Sequence, residues 1–433
     1  MPDQVPLSAA AQLPPWQQPK TLLFVLAVAM PLAFWVWSAL LNNFVIEVGG
    51  FDGADIGWLH TIREIPGFLA VGVLAFLLFF HEQVFGLIAL FVLGAATAVT
   101  AWFPSMAGIL TVTLISSIGF HYFETVNQSL QLQWIPKADA PRVLGLLTAA
   151  GAGSALFAYG MILIATQVFN LSYNPIYMAG GGASMLIAML CFIGYPRFRA
   201  ANVQTKKMVL RRRYWLYYLL QFMAGARRQI FVVFAGFMLV ERFGFEVHEM
   251  AWLLLVNLLL NTVLAPFAGR AVGYFGERST LAFEYLGLVG VFLAYGGIYY
   301  FGWGLSLAIL LFVLDHLFFS LALALKTYFQ KIADPADIAS SAAVAFTINH
   351  IAAVFLPVAL GFFWLYSPAG VFVIAAAMAF ASLVLALMIP RHPRSGCETI
   401  FSPEPAISWS AAVLILFKRA RAVVAPVVLA NPL

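Results

Sequence analysis

Twelve apolar stretches, each about the 20 residues or more that a helix needs to cross a hydrocarbon core, constrain this chain more than anything else in it. They fall at 21–46, 57–80, 84–102, 105–133, 142–169 and 173–195, then at 214–241, 249–272, 280–301, 304–331, 338–366 and 368–389. In lipid only helices and closed barrels satisfy their own backbone, and barrel strands would be about 10 residues of alternating polarity. Helices are therefore expected. Charge agrees: 9% of the 433 residues are charged and 63% are hydrophobic, with mean hydropathy +0.93. A water-soluble domain carries roughly 25% charged residues. The fold class read from these facts is all-α integral membrane, with twelve transmembrane helices.

Two groups of six stretches flank segment 196–213, which holds Arg197, Arg199, Lys206, Lys207, Arg211, Arg212 and Arg213 and no acid. Basic residues beside membrane ends mark the cytoplasmic side. Six spans on either side then put both termini in the cytoplasm, and an inner-membrane location is expected. The same clustering accounts for the net charge of +5 without nucleic acid. The expected organisation is a disordered leader at 1–20, rich in proline (Pro2, Pro6, Pro14, Pro15, Pro19); a six-helix bundle at 21–195; a basic linker at 196–213; a second bundle at 214–389; and a cytoplasmic tail at 390–433. Within that tail, the run Ala411–Phe417 either lies on the membrane surface or is disordered. Cys191 and Cys397 have neither disulfide nor zinc spacing.

The halves repeat one another. Glu47, Phe51, Asp55, Trp58 and Leu59 recur 194 positions later as Glu241, Phe245, Glu249, Trp252 and Leu253. His121, Phe123, Ala138 and Asp139 recur 195 positions later as His316, Phe318, Ala333 and Asp334. Segment 266–278 (PFAGRAVGYFGER), with Gly269, Gly273, Gly276, Glu277 and Arg278, resembles the glycine-rich cytoplasmic turn of the major facilitator superfamily. The family's usual Asp would fall at Gly273 and its first basic residue at Tyr274; the matching turn around 81–83 has nearly lost the pattern. Gly145, Gly151 and Gly153 lack the Gly-Pro signature of the family's drug antiporters. The resemblance spans 21–389 and implies two pseudo-symmetric six-helix bundles that rock about a central site by alternating access.

Ionisable groups deep in hydrocarbon cost about 2.5–3.5 kcal/mol on insertion scales and need a partner or a wet cavity. His121, Glu124, Gln128 and Gln131 share one helical stripe, facing either a transport cavity or a polar neighbour helix. Gln221, Arg227, Arg228 and Gln229 stand mid-span. Adjacent arginines diverge by about 100°, so either one faces the solute while the other finds a carboxylate or carbonyl, or both are paired structurally. Guanidinium favours an anionic or zwitterionic solute. Glu124, Asp315 and His316 are the proton-coupling candidates, though Asp315 could merely neutralise an arginine or His350. Asn257, Asn261, Asn349, His350 and Trp35 complete the expected binding set. Glu47, His60, Arg63 and Glu64, with Gly269, Gly273 and Arg278, are read as gating groups, with His60, Arg63 and Glu64 shallow enough to pair with Glu47.

No catalytic, metal or cofactor motif is present in the sequence. The reading is a monomeric secondary carrier of a small organic solute, proton-coupled, surrounded by lipid. The alternatives are a proton-independent facilitator and a non-transporting sensor or assembly factor on a carrier scaffold.

Overall fold

The computed structural model describes residues 4–77, 79–135, 140–199, 210–334 and 338–402. After strand β1 (Gln4–Pro6) come α1 (Pro19–Glu47), α2 (Gly53–Phe68), the single turn α3 (Val73–Phe76), α4 (Glu82–Val99), α5 (Met106–Trp134), α6 (Ala140–Gln167) and α7 (Tyr173–Gly194). Strand β2 (Arg197–Arg199) precedes α8 (Trp215–Ile230), α9 (Gly236–Phe243), α10 (Val247–Phe301), α11 (Leu305–Ser320), α12 (Leu323–Ile332), α13 (Ile338–Trp364) and α14 (Pro368–Leu387).

Eleven stretches among the described residues are long and apolar enough to cross a membrane. The second expected span, 57–80, is not one of them: α2 stops at Phe68, just after Pro66 and Gly67, and gives way to a 3-10 turn and α3. Elsewhere, spans differ from simple rods for local reasons. A π-helical turn (Phe231–Ala235) joins α8 to α9 within one span. The 55-residue α10 is two helical arms joined at Gly276, whose φ of 78° and ψ of 165° suit only glycine. Of the three glycines in that turn, Gly276 is the one its backbone demands; a Cβ on Gly269 or Gly273 would meet open space.

The internal repeat is visible in the backbone. Asp52 and Asp55 form a capping box at the start of α2; Glu246 and Glu249, 194 positions later, form the same box at the start of α10. Gly50 and Gly244, also 194 apart, both turn the chain with φ near 65°. Phe51 and Phe245 are buried, while Trp58 and Trp252 are exposed. His121 and His316 each place Nδ1 beside the carbonyl four residues earlier, Ser117 at 3.1 Å and Phe312 at 3.0 Å. Ala138 and Asp139 lie outside the described residues.

Contact between the halves runs chiefly through α2 against α13, then α6 against α10, with α1 meeting α9 and α10. Small residues set the first of these. A Cβ on Gly57 would sit 2.4 Å from the Pro357 carbonyl, and one on Gly361 2.5 Å from the Gly53 carbonyl.

One terminal expectation changes. Residues 4–17 are not a disordered leader: β1 pairs in parallel with β2, and two 3-10 turns follow. Proline suits those extended and turn conformations. Gln83 fixes β2 by donating to the Pro196 carbonyl and accepting from Phe198 N–H, at 3.0 and 2.9 Å. The tail folds back at its start, where the Tyr328 hydroxyl donates to the Glu398 carbonyl at 2.6 Å. Ala411–Phe417 lies outside the described residues.

Candidate functional site

Two clusters of buried charge meet at α8, one on each side of its adjacent arginines. The first occupies the seam where α2 and α5 approach α13. Glu64 is 2% exposed; its Oε1 lies 3.3 Å from Arg63 Nη2 and its Oε2 3.7 Å from His350 Nε2. The His121 and His350 rings stand edge to face, centroids 5.6 Å apart. His121 is the sixteenth of 29 residues in α5, so the cluster sits at mid-helix depth. Arg228 lies within electrostatic range of both Glu64 and Glu124. Among the described residues its guanidinium makes no hydrogen bond or salt bridge.

Packing holds this seam in shape. The Ser117 hydroxyl donates to the Arg63 carbonyl, and His121 Nδ1 lies 3.1 Å from that hydroxyl. Arg63 lies over the Trp37 ring at 5.5 Å, and its Nη1 donates to His60 Nδ1 at 3.1 Å. A Cβ on Gly67 would meet His121 Nε2 at 2.6 Å and His350 Cδ2 at 2.7 Å, so glycine there lets the two imidazoles converge. Asn349 donates to the Gln221 carbonyl at 3.2 Å, and Gln221 to the Tyr217 hydroxyl at 3.0 Å, tying α13 to α8.

The second cluster lies within the later half. Arg227 Nη2 is 3.0 Å from Glu284 Oε1, with 2% and 0% exposure. Its guanidinium also lies over Tyr285 at 4.9 Å. Asp315 is buried within electrostatic range of Arg227 and Glu284. Asp315 Oδ1, Glu284 Oε2, Arg227 Nη1 and the Tyr295 hydroxyl have no hydrogen-bond partner among the described residues.

The sequence-derived residues are thus divided. Arg228, His121, Glu124 and His350 converge on the seam, together with Arg63 and Glu64. The last two were expected at a shallow gate beside Glu47; instead Glu64 is buried at mid-depth. Glu47 accepts from Asn43 at 3.3 Å and from Tyr173 at 2.5 Å. Arg227 and Asp315 go to the second cluster. His316 turns away from it and packs on Phe231 and Phe312, centroids 4.8 Å away in each case. Trp35 packs on Phe34 and Tyr159, and Trp37 is the tryptophan beside an arginine. Gln128 is exposed. Among the described residues, Asn257 is buried with neither amide atom paired, and Asn261 is half-buried with its carbonyl unpaired. Arg278 neighbours the buried Glu277, which pairs with Lys331 at 2.6 Å.

Sequence reasoning missed Glu284, Ser117, Trp37 and Gly67. Glu284 left a signal, a lone carboxylate inside the apolar stretch 280–301; the other three have unremarkable identities and matter only through what they touch.

No family model matches the chain, and no curated protein sequence does. Solved structures do. A point mutant of the nucleoside transporter NupG superposes with TM-score 0.70 at 15% identity, covering 86% of this chain and 99% of its own. A bacterial homologue of the human lysosomal transporter Spinster, inward-facing and occupied, gives 0.64 at 11% identity, covering 85% and 95%. The xylose transporter XylE from E. coli, in a partially occluded inward-open conformation, gives 0.61 at 11% identity, covering 84% and 97%.

Proposed function

We propose that this multi-pass membrane chain, whose fold is that of the major facilitator superfamily, is a secondary transporter of a small organic solute. Residues 21–195 and 214–389 act as the two rocking bundles, joined by the basic linker at 196–213, with both termini in the cytoplasm. The observation that carries the reading is Arg228. Among the described residues it is an unpaired guanidinium at mid-depth, on the seam between the halves, with Glu64 and Glu124 in range. A charge in that position needs a wet cavity or a counter-ion. Planar guanidinium binds carboxylate or phosphate through two parallel hydrogen bonds, which favours an anionic or zwitterionic solute.

Proton coupling fits the second cluster. Glu284 and Asp315 supply two carboxylates against one guanidinium. The excess negative charge, buried in an apolar bundle, calls for a proton. Asp315, with one carboxyl oxygen unpaired among the described residues, is the carrier of choice. On this reading the proton site and the solute site lie on neighbouring faces of α8, because adjacent side chains diverge by about 100°.

The test is uptake of a metabolite panel into proteoliposomes with and without an imposed pH gradient. Expected are accumulation of an anionic or zwitterionic solute that depends on the gradient, and its loss in Arg228→Gln. Uncoupled but intact facilitated flux is expected in Asp315→Asn. Normal uptake in Arg228→Gln refutes the solute assignment, and uptake indifferent to the gradient refutes proton coupling.

A further inference from the structure

Beyond solute and proton, the seam carries a donor set of another kind. One ligand atom each from Glu64, His121 and His350 lies within 4.8 Å of the other two, and all three residues are buried. Glu64 comes from α2 and His121 from α5, both before the basic linker, whereas His350 comes from α13. No two of them are near in sequence, so no motif announces the set.

We propose that Glu64, His121 and His350 bind a divalent transition-metal cation between the two halves. Two imidazoles and a carboxylate suit zinc, cobalt, nickel, manganese or ferrous iron, and do not suit calcium or magnesium, which take oxygen.

The atoms are already oriented for it. A metal-bound histidine usually donates its second ring N–H to a carbonyl or carboxylate, which fixes the tautomer. His121 Nδ1 has the Ser117 carbonyl at 3.1 Å, which leaves Nε2 as the donor facing the cluster. His350 presents Nε2 to Glu64 Oε2 at 3.7 Å. Arg63 holds the other oxygen, Oε1, so a cation on Oε2 need not break that pair. Gly67 supplies the space in which both rings meet. Tetrahedral bonds of about 2.0–2.1 Å would put donors roughly 3.3 Å apart, so binding draws the three inward by about an ångström. Water or a group of the solute takes the remaining position. Arg63 and Arg228 repel a cation, and the affinity is correspondingly modest. Because the ligands come from both halves, occupancy ties α2 and α5 to α13.

Metal binding is measured on the purified full-length protein and stands whether or not a solute is carried. Cobalt chloride is titrated while visible ligand-field absorption is followed, and zinc chloride then competes. One saturable, zinc-displaceable site is expected. It is expected to weaken at least tenfold in Glu64→Gln, His121→Gln and His350→Gln, and to persist in His248→Gln, whose imidazole lies outside the cluster. His350→Cys is expected to bind cadmium more tightly than wild type, a gain that a purely structural histidine would not produce. No saturable cobalt site, or one untouched by the three cluster substitutions, overturns the proposal. Where a cluster variant fails to fold, X-ray absorption on zinc-loaded wild type decides. Two imidazoles with oxygen support the site; a sulfur ligand or a single imidazole overturns it.

Discussion

Replacing Arg227 by Met tests whether the second cluster is governed by charge count. The Arg227–Glu284 pair is 3.0 Å long and almost wholly removed from solvent, with Asp315 close enough to feel both partners. Removing one member of a buried pair costs about 3–5 kcal/mol, because the other is left without compensation. Arg227→Met does this to two carboxylates at once and belongs at or above the top of that range. Glu284→Gln is milder. The amide carbonyl still accepts from the guanidinium and Asp315 supplies the counter-charge, leaving a loss of about 1–3 kcal/mol from one weakened charged hydrogen bond. Asp315→Asn removes the excess negative charge and leaves the ion pair whole, so it is expected to be neutral or stabilising. The assay is thermal unfolding of purified variants in one detergent, scored by the order of the midpoints. Expected from most to least stable are Asp315→Asn with wild type, then Glu284→Gln, then Arg227→Met. If Asp315→Asn is the least stable, or Arg227→Met matches wild type, the cluster is not balanced by charge in this way. Paired with transport, the same variant separates two roles: a stable Asp315→Asn that has lost coupling marks a proton carrier, not a structural acid.

Other outcomes follow from local geometry. Gly276→Ala must place a side chain in a region only glycine occupies and is expected to cost about 1–3 kcal/mol in thermal unfolding; Gly273→Ala, with open space at its Cβ, is expected to be neutral or slightly stabilising. Gly57→Leu would drive α2 away from the Pro357 carbonyl, so a disulfide or short cross-linker placed between α2 and α13 should form more slowly than in the parent, and an unchanged rate would contradict the close packing described. His81, at the head of α4, has its imidazole pushed below the ordinary value of 6.5 by burial and then by Arg197. Its folded value being depressed, the stability it contributes is full above that ordinary value and lost as pH falls below it. Protease nicking of the basic linker is therefore expected to increase on acidification, and His81→Gln to flatten that dependence.

Apolar length and charge spacing carry most of the architecture, because both are consequences of lipid as solvent and need no tertiary information. The capping boxes at Asp52 and Glu246 show how far the internal repeat reaches: the sequence match at 194 positions is a match in the local bonding that starts each helix. Where the sequence misleads, depth is the cause. Glu64 reads as part of a shallow gate because it sits early in an apolar stretch drawn as 57–80. The helix in fact begins at Gly53 and stops at Phe68, which moves Glu64 inward against His121. Glu284 is easily passed over for the complementary reason, lying near the start of its stretch. Direction misleads as well as depth. Asp315 and His316 are neighbours in sequence, but the carboxylate comes within electrostatic range of Arg227 while the imidazole packs on Phe231 and Phe312, because neighbouring side chains leave a helix about 100° apart.

Adjacent arginines give α8 a role that neither cluster has alone. Arg227 is committed to Glu284 and Asp315, and Arg228 points to the seam. The side chains leave the helix about 100° apart, so a rotation of α8 that improves one environment must alter the other. Three residues beyond Arg228 the helix widens into a π turn at Phe231–Ala235, where the regular ladder of backbone bonds is interrupted. Such turns recur at functional sites. On the transport reading, loss of a proton from the Asp315 cluster strengthens the pull on Arg227 and turns the inner part of α8. That turn changes what Arg228 presents to the solute. Closing the π turn by deleting Val232 or Val233 would make the two parts of the helix move as one. Its expected effect is to leave solute binding measurable while abolishing the dependence of binding on pH; a deletion variant that binds solute with the wild-type pH profile would separate the two clusters and remove this coupling.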